Sequence, residues 1–302
     1  MEDVLSGDFE TRAAKDLPKV GVHLYAADPD TDVWCLALAF NDEPVFLWTP
    51  GEDCPDRVRE HIEGGGIFTA WNAAFELAIW NEIMVPRYGW PPLKPEQCRC
   101  TQMKAAAMSL PLGLDKCATA LSLDISKDAS GYRLMMRMAK PRSRDPLTWW
   151  DDEERRNRLY AYCLQDVEVE RRIAKKLRPI KDSEQELWLL DQEINQRGVP
   201  VDLESVNWLI EWCNEERERL NHAMARVTKH AVRDCSDVSG LGRYAGVKSV
   251  AKDALDGHIE AAAGRKKKAL ELRRDYAKTS TKKLDALQRG TMDDGKMRGI
   301  FQ

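Results

Sequence analysis

The sequence predicts an α/β domain with a mixed sheet flanked by helices, followed by a mainly α-helical region. Three observations carry this. Strand-like and helix-like periodicities alternate over the first 180 residues. From there to the end, long, highly charged helical patterns replace them. The chain has 302 residues with 43% hydrophobic and 32% charged content, which is globular composition and enough for two domains. The expected division is 1–180 and 181–302, with the boundary near Pro179.

In the first part, Val4 to Phe9 reads as a short strand leading the sheet. Val20 to Ala26 alternates, with Val20, Val22, Leu24 and Ala26 on one face, and is expected to be a strand. Val33 to Phe40 is almost continuously apolar, as in a strand buried on both faces. Val45 to Trp48 reads as a third strand or an edge. A short helix after Pro55 and the triplet Gly64-Gly65-Gly66 lead to a strand over Ile67 to Trp71. Asn72 is expected to cap a helix to about Met84, with Phe75, Ile79 and Ile83 recurring every four residues. A short strand near Cys98 to Thr101 precedes helices near 102–110 and 114–121. Residues 124–149 read as irregular, and a strong helix is expected from about Asp151 to Leu177.

The second part opens with a helix capped by Ser183 and ended by Gly198-Val199-Pro200. Helices over Leu203 to about His230 and over Gly257 to Gln288 flank a glycine-bearing loop at 234–246. No strand is expected before the last few residues.

Several classes are excluded. No uncharged apolar run is long enough to cross a membrane, and the start carries no secretory pattern. The eight cysteines fit no zinc-ribbon spacing and are read as reduced core thiols of a cytoplasmic protein. A net charge of −4 argues against a wholly basic nucleic-acid coat but allows a local basic groove.

Three acidic segments point to chemistry. In Asp8-Phe9-Glu10-Thr11, a strand would place both carboxylates on one face, where they repel unless a cation lies between them. Such a pair suits a hard divalent ion that prefers oxygen ligands. In Trp71-Asn72-Ala73-Ala74-Phe75-Glu76, Glu76 lies one helical turn after Asn72. In Tyr160 to Glu168, Tyr162 and Asp166 are four apart, so a phenol and a carboxylate share a helix face. Each segment alone reads more plainly as a solvated strand end, an N-cap beside an exposed Glu, or an amphipathic boundary.

Together, in order and type, they resemble the motifs of the tyrosine-bearing branch of the DEDD exonuclease superfamily. Nearly the whole chain resembles the phage-type family A DNA polymerases. The stretches are Phe9-Glu10-Thr11 through Val22, Ala70 to Glu76, Cys100-Thr101-Gln102-Met103 and Tyr162 to Glu168. Ile194 to Asp202 looks like the start of that family's polymerase region, and Leu270 to Arg274 with Lys278 to Lys283 like its thumb helix. One departure is Glu76, where better-known cellular members carry Asp; it is read as a variant that reaches one methylene further.

The resemblance implies an RNase H-like mixed five-stranded sheet and hydrolysis of phosphodiester bonds at DNA 3′ ends. It implies two Mg2+ ions about 3.5–4 Å apart, with Mn2+ able to substitute. Asp8 would bridge both ions, Glu10 and Asp166 would complete the water-activating site, and Glu76 would act through a water shell. Tyr162 would orient the attacking water. The substrate would be a frayed single-stranded 3′ end or primer-template DNA, touched by Thr11, Asn72 and Phe75. Phe75 and Trp71 are candidate stackers, weighed against plain core packing. Residues 265–283 hold nine basic side chains against two acidic ones. There Arg273, Arg274, Lys278, Ser280 and Lys282 would meet the DNA backbone in a salt-sensitive way. Gly299 to Gln302 would be a strand leading towards a palm. No equivalent of the palm's catalytic aspartates is found, so no polymerisation is expected from this chain, and a separate palm-and-fingers polypeptide is an implied partner. The rival functions are a DEDD exoribonuclease and a non-catalytic DNA-binding subunit.

Overall fold

In the computed structural model, residues 3–124 and 128–300 are described. The chain divides into two compact units, one of residues 1–198 with 298–302 and one of residues 199–297.

The first unit is built on a five-stranded mixed sheet in the order β3-β2-β1-β4-β5, with β1 Val4–Arg12, β2 Asp32–Phe40, β3 Phe46–Trp48, β4 Ile67–Ala70 and β5 Cys98–Cys100. β1 runs antiparallel to β2 and parallel to β4, so it lies at the centre. The continuous apolar run of β2 has the expected cause. Leu36, Leu38 and Phe40 enter one core, while Cys35, Ala37 and Ala39 pack beneath helix α8 (Glu153–Lys176) on the other face. The main core is aromatic. Trp80 is fully buried, meets Phe68 at 5.3 Å and Trp90 at 5.1 Å edge-on, and donates to the Pro91 carbonyl at 2.8 Å. Burying a large apolar side chain contributes about 1.5–3 kcal/mol, so this cluster anchors the sheet face opposite α8.

Several expected elements differ. Val20 to Ala26 is not a strand but the end of α1, Leu17–Ala26. Pro18 sits in the first turn, where its missing N–H costs nothing. Gly21, at φ 75°, then interrupts the helix, and the two short turns mimic a period of two. The strand leading the sheet is longer than Val4 to Phe9. Within it a Cβ on Gly7 would lie 2.8 Å from Phe68, so only glycine fits between β4 and β2 there.

Helix α2 (Asp56–Glu63) precedes β4, and α3 (Ala73–Ile79) follows it. The Asn72 side chain makes no capping bond. A π-turn over Trp80–Met84 joins α3 to α4 (Val85–Tyr88), so the expected single helix is offset midway. Helices α5 (Thr101–Ala107) and α6 (Leu114–Ala120) follow β5. The segment 124–149 is not irregular among its described residues. Asp128 caps α7 (Ala129–Met138) by accepting from the Ser130 and Gly131 amides, and the hairpin β6 Ser143–Arg144 with β7 Leu147–Thr148 follows.

Helix α9 (Asp182–Arg197) belongs to the first unit, so the division falls at Gly198 rather than near Pro179. Its Trp188 joins the first core and its Gln185 donates to the Cys98 carbonyl at 3.2 Å. The helix starts one residue before Ser183, which therefore does not cap it.

The second unit packs α10 (Leu203–Thr228), α11 (Val238–Ala245), α12 (Lys252–Ala261), α13 (Gly264–Lys278) and α14 (Lys282–Gly290) around Leu220, Met224, Leu241, Ile259 and Leu270. The expected loop at 234–246 contains α11. Asp237 caps it through the Gly240 amide at 2.7 Å, and Gly246 ends it at φ 76°. The pair β8 Val199–Pro200 and β9 Lys296–Met297 closes the unit. Of the expected final strand, Gly299 and Ile300 are irregular, and Phe301 and Gln302 lie outside the described residues. All eight cysteines are free, and no helix among the described residues is long and apolar enough to cross a membrane.

Candidate active site

Asp8 and Glu10 project from the central strand towards α8, as their spacing of two requires. Glu10 is buried and Asp8 half-buried. On α8, Cys163 donates its thiol to the Asp8 carbonyl at 3.3 Å and lies 3.8 Å from Asp8 Oδ2, which fixes helix and strand together. One ligand atom from each of Asp8, Glu10 and Cys163 lies within 4.8 Å of the others. Tyr162 and Asp166 stand on the same helix, hydrogen-bonded to each other. Glu76, in the first turn of α3, is only 3% exposed, and its Oε2 has no hydrogen-bond partner.

All five side chains line one cleft of about 360 Å3, with Thr11, Phe75 and Tyr25 on its wall. Helix α1 supplies Leu17 and Pro18, and α7 supplies Met135 and Met136. Helix α7 can approach because residue 131 is glycine: a Cβ there would stand 2.5 Å from Tyr162 Cδ2. Sequence reasoning missed this wall. Its one legible signal was Asp128 ahead of Ser130-Gly131.

The electrostatics are those of carboxylates crowded out of water. Burial, then the charges of Asp166 and Glu170, hold the Asp8 carboxyl well above its ordinary range. Burial and then Asp8 do the same to Glu10 and to Glu76. Burial, then Asp166, raise the Tyr162 phenol, so it remains a protonated hydrogen-bond donor. A cluster of raised acids with an unpartnered buried oxygen is what a hard divalent ion would relieve. Apart from the Cys163 thiol, which is engaged with Asp8, the donors are carboxylate oxygens, as Mg2+ and Mn2+ prefer, so the acids fit such ions.

The expected nucleic-acid contacts divide. Thr11 lies in the cleft, bonded to the Tyr25 hydroxyl at 2.8 Å, and Phe75 tilts against Tyr25 at 6.2 Å with one side in the cleft. Asn72 is exposed and is not part of the cleft wall. Trp71 packs with the cluster beside α5 and α6 and donates to the Leu112 carbonyl, so core packing accounts for it. In the second unit Arg273 donates to the Cys235 carbonyl at 3.1 Å, which gives it a structural task. Arg274 pairs with Asp256 at 3.7 Å and Lys278 with Asp275 at 3.0 Å. Ser280 and Lys282 are exposed. The stripe is thus partly neutralised by acids within it and on α12.

No family model matches the sequence. The chain is 32% identical over 319 aligned residues, 99% of its length, to a DNA polymerase of Bacillus phage SP02, of which it covers 48%. It therefore spans about half the length of that curated relative. Its fold is similar, with a TM-score of 0.53 and 12% identity over 98% of the chain, to the POL domain of Pol1 from M. smegmatis, solved in complex with DNA primer-template and dNTP. The match covers 48% of that solved chain and is a likeness of fold.

Proposed function

We propose that this chain, a relative of the family A DNA polymerases, carries in its first unit a metal-dependent 3′→5′ exonuclease site of the DEDD type, built on an RNase H-like sheet. The observation that carries the reading is the convergence of Asp8, Glu10, Glu76, Tyr162 and Asp166, distant in sequence, on one cleft.

In this reading Asp8, Glu10, Glu76 and Asp166 hold two Mg2+ ions. The chemistry such ions supply is charge relief on the phosphate and a water acidified towards neutral pKa. Tyr162, protonated and fixed by Asp166 and by α7, would offer its hydroxyl to position the attacking water. No strong protein base is required. Phe75 and the apolar residues of α1 and α7 flank the terminal nucleotide, and Thr11 offers its hydroxyl to the sugar. A single-stranded end suits a cleft of this size, since about 360 Å3 admits one nucleotide rather than a duplex. In the second unit, Arg265, Lys266 and Lys267 at the start of α13, with Lys282 and Lys283 of α14, supply backbone contacts. The likeness to DNA polymerases favours DNA over RNA as substrate.

A 5′-labelled single-stranded DNA incubated with the protein and Mg2+ tests the reading. Stepwise shortening from the 3′ end, abolished by chelation, is expected. An intact strand after prolonged incubation with Mg2+ or Mn2+ counts against it.

A further inference from the structure

Building on the cation site proposed above, we propose that Glu170 is a fifth acid of that site and acts on a bound divalent ion through its water shell. Glu170 is 4% exposed. Its Oε1 accepts hydrogen bonds from the Thr69 hydroxyl at 2.9 Å and from the Thr101 hydroxyl. Its Oε2 is buried and has no hydrogen-bond partner among the described residues, although the charges of Lys104 and Arg171 partly offset the burial of the group.

The topology places this carboxylate in the layer that holds the other acids. Thr69 of β4 stands opposite Ser6 in the parallel register with β1, and register partners share a sheet face. Ser6, Asp8 and Glu10 alternate onto that face. Along α8, Cys163, Asp166 and Glu170 recur at i, i+3 and i+7, which is one helical stripe. Cys163 in that stripe bonds Asp8, so the stripe faces the acids. Glu170 lies one turn beyond Asp166, about 6 Å along the axis.

Two threonine hydroxyls on one oxygen fix the rotamer and leave the other oxygen fixed as well. A buried carboxylate oxygen without a donor is rare in folded proteins. An ion-bound water would be that donor, which is how outer-shell carboxylates tune metal sites. The acids register its charge: Glu170 is among the groups that raise Asp8 and Glu76. A merely structural acceptor for Thr69 and Thr101 would work equally well as glutamine.

The test is Mn2+ binding to the full metal-free chain, read by electron paramagnetic resonance without DNA. Glu170→Gln, which keeps shape and the acceptor oxygen, is expected to weaken binding about tenfold or more without lowering the metal-free melting temperature. Should that variant fail to fold, Thr69→Val removes one of the two hydroxyls that hold the rotamer while retaining the charge, and is expected to weaken binding about threefold, below the usual outer-shell loss. Parental Mn2+ affinity in the folded variant overturns the inference. Asp8→Asn separates the two readings. If it loses Mn2+ while Glu170→Gln does not, Glu170 alone is excluded. If both bind as the parent does, the cation site itself is wrong.

Discussion

Asp8→Ala and Asp166→Ala should each reduce Mg2+-dependent 3′→5′ hydrolysis at least about a thousandfold, roughly 4 kcal/mol in barrier height. The reasoning is electrostatic. Asp8 lies on the central strand and Asp166 on the helix that covers it, so each removes charge from one wall of the same cleft. Tyr162 would also lose the carboxylate that positions its hydroxyl in the Asp166 variant. The fold should survive, because neither side chain holds core packing together. The large buried groups of the core on the other face of the sheet, Phe68, Leu36 and Trp80, remain in place. Removing one of several mutually repelling acids also relieves strain in the metal-free protein. The check is a rate measurement paired with a circular-dichroism melt. A parental rate in either variant, or unfolding of both, refutes the assignment.

The metal-free protein should lose thermal stability as pH rises above about 4, and saturating Mg2+ should remove that slope. Asp8, Glu10 and Glu76 are all raised above their ordinary range by burial first, and second by a neighbouring carboxylate, Asp166 for Asp8 and Asp8 for the other two. In the unfolded chain they would titrate near pH 4. Between that pH and their raised folded values, the folded state holds protons that the unfolded state has released. Stability therefore falls as pH climbs through the window, and is greatest below it. One pKa unit corresponds to about 1.4 kcal/mol, and about 1 kcal/mol shifts a domain of this size by roughly 2–4 °C. A fall of several degrees is expected by calorimetry in chelator. A flat or rising midpoint over this range would contradict the electrostatic account of the cleft.

Much of the site was legible because its geometry is local. Asp8 and Glu10 share a face as soon as residues 4–12 form a strand, and Tyr162 and Asp166 as soon as 153–176 form a helix. The expected strand at 20–26 failed because Gly21 breaks α1 into two turns, and a pattern of four apolar residues cannot distinguish that from a strand. The wall made by α7 was missed because its helical pattern is short. What brings it to Tyr162 is the absence of a Cβ at Gly131, visible only once both helices are placed. Glu170 was invisible for a similar reason. Its partners Thr69 and Thr101 come from β4 and the start of α5, and no spacing along α8 reveals them. Arg273 shows the converse: a residue counted in a basic stripe is tied to the Cys235 carbonyl by tertiary structure.

The central claim is that this cleft cages divalent cations. Anomalous diffraction from crystals soaked in Mn2+ tests it most directly. Density is expected within coordination distance of Asp8 and Glu10, with a second peak about 3.5–4 Å away towards Glu76 or Asp166. Soaked crystals showing Mn2+ bound elsewhere, with the cleft holding only water, would contradict it.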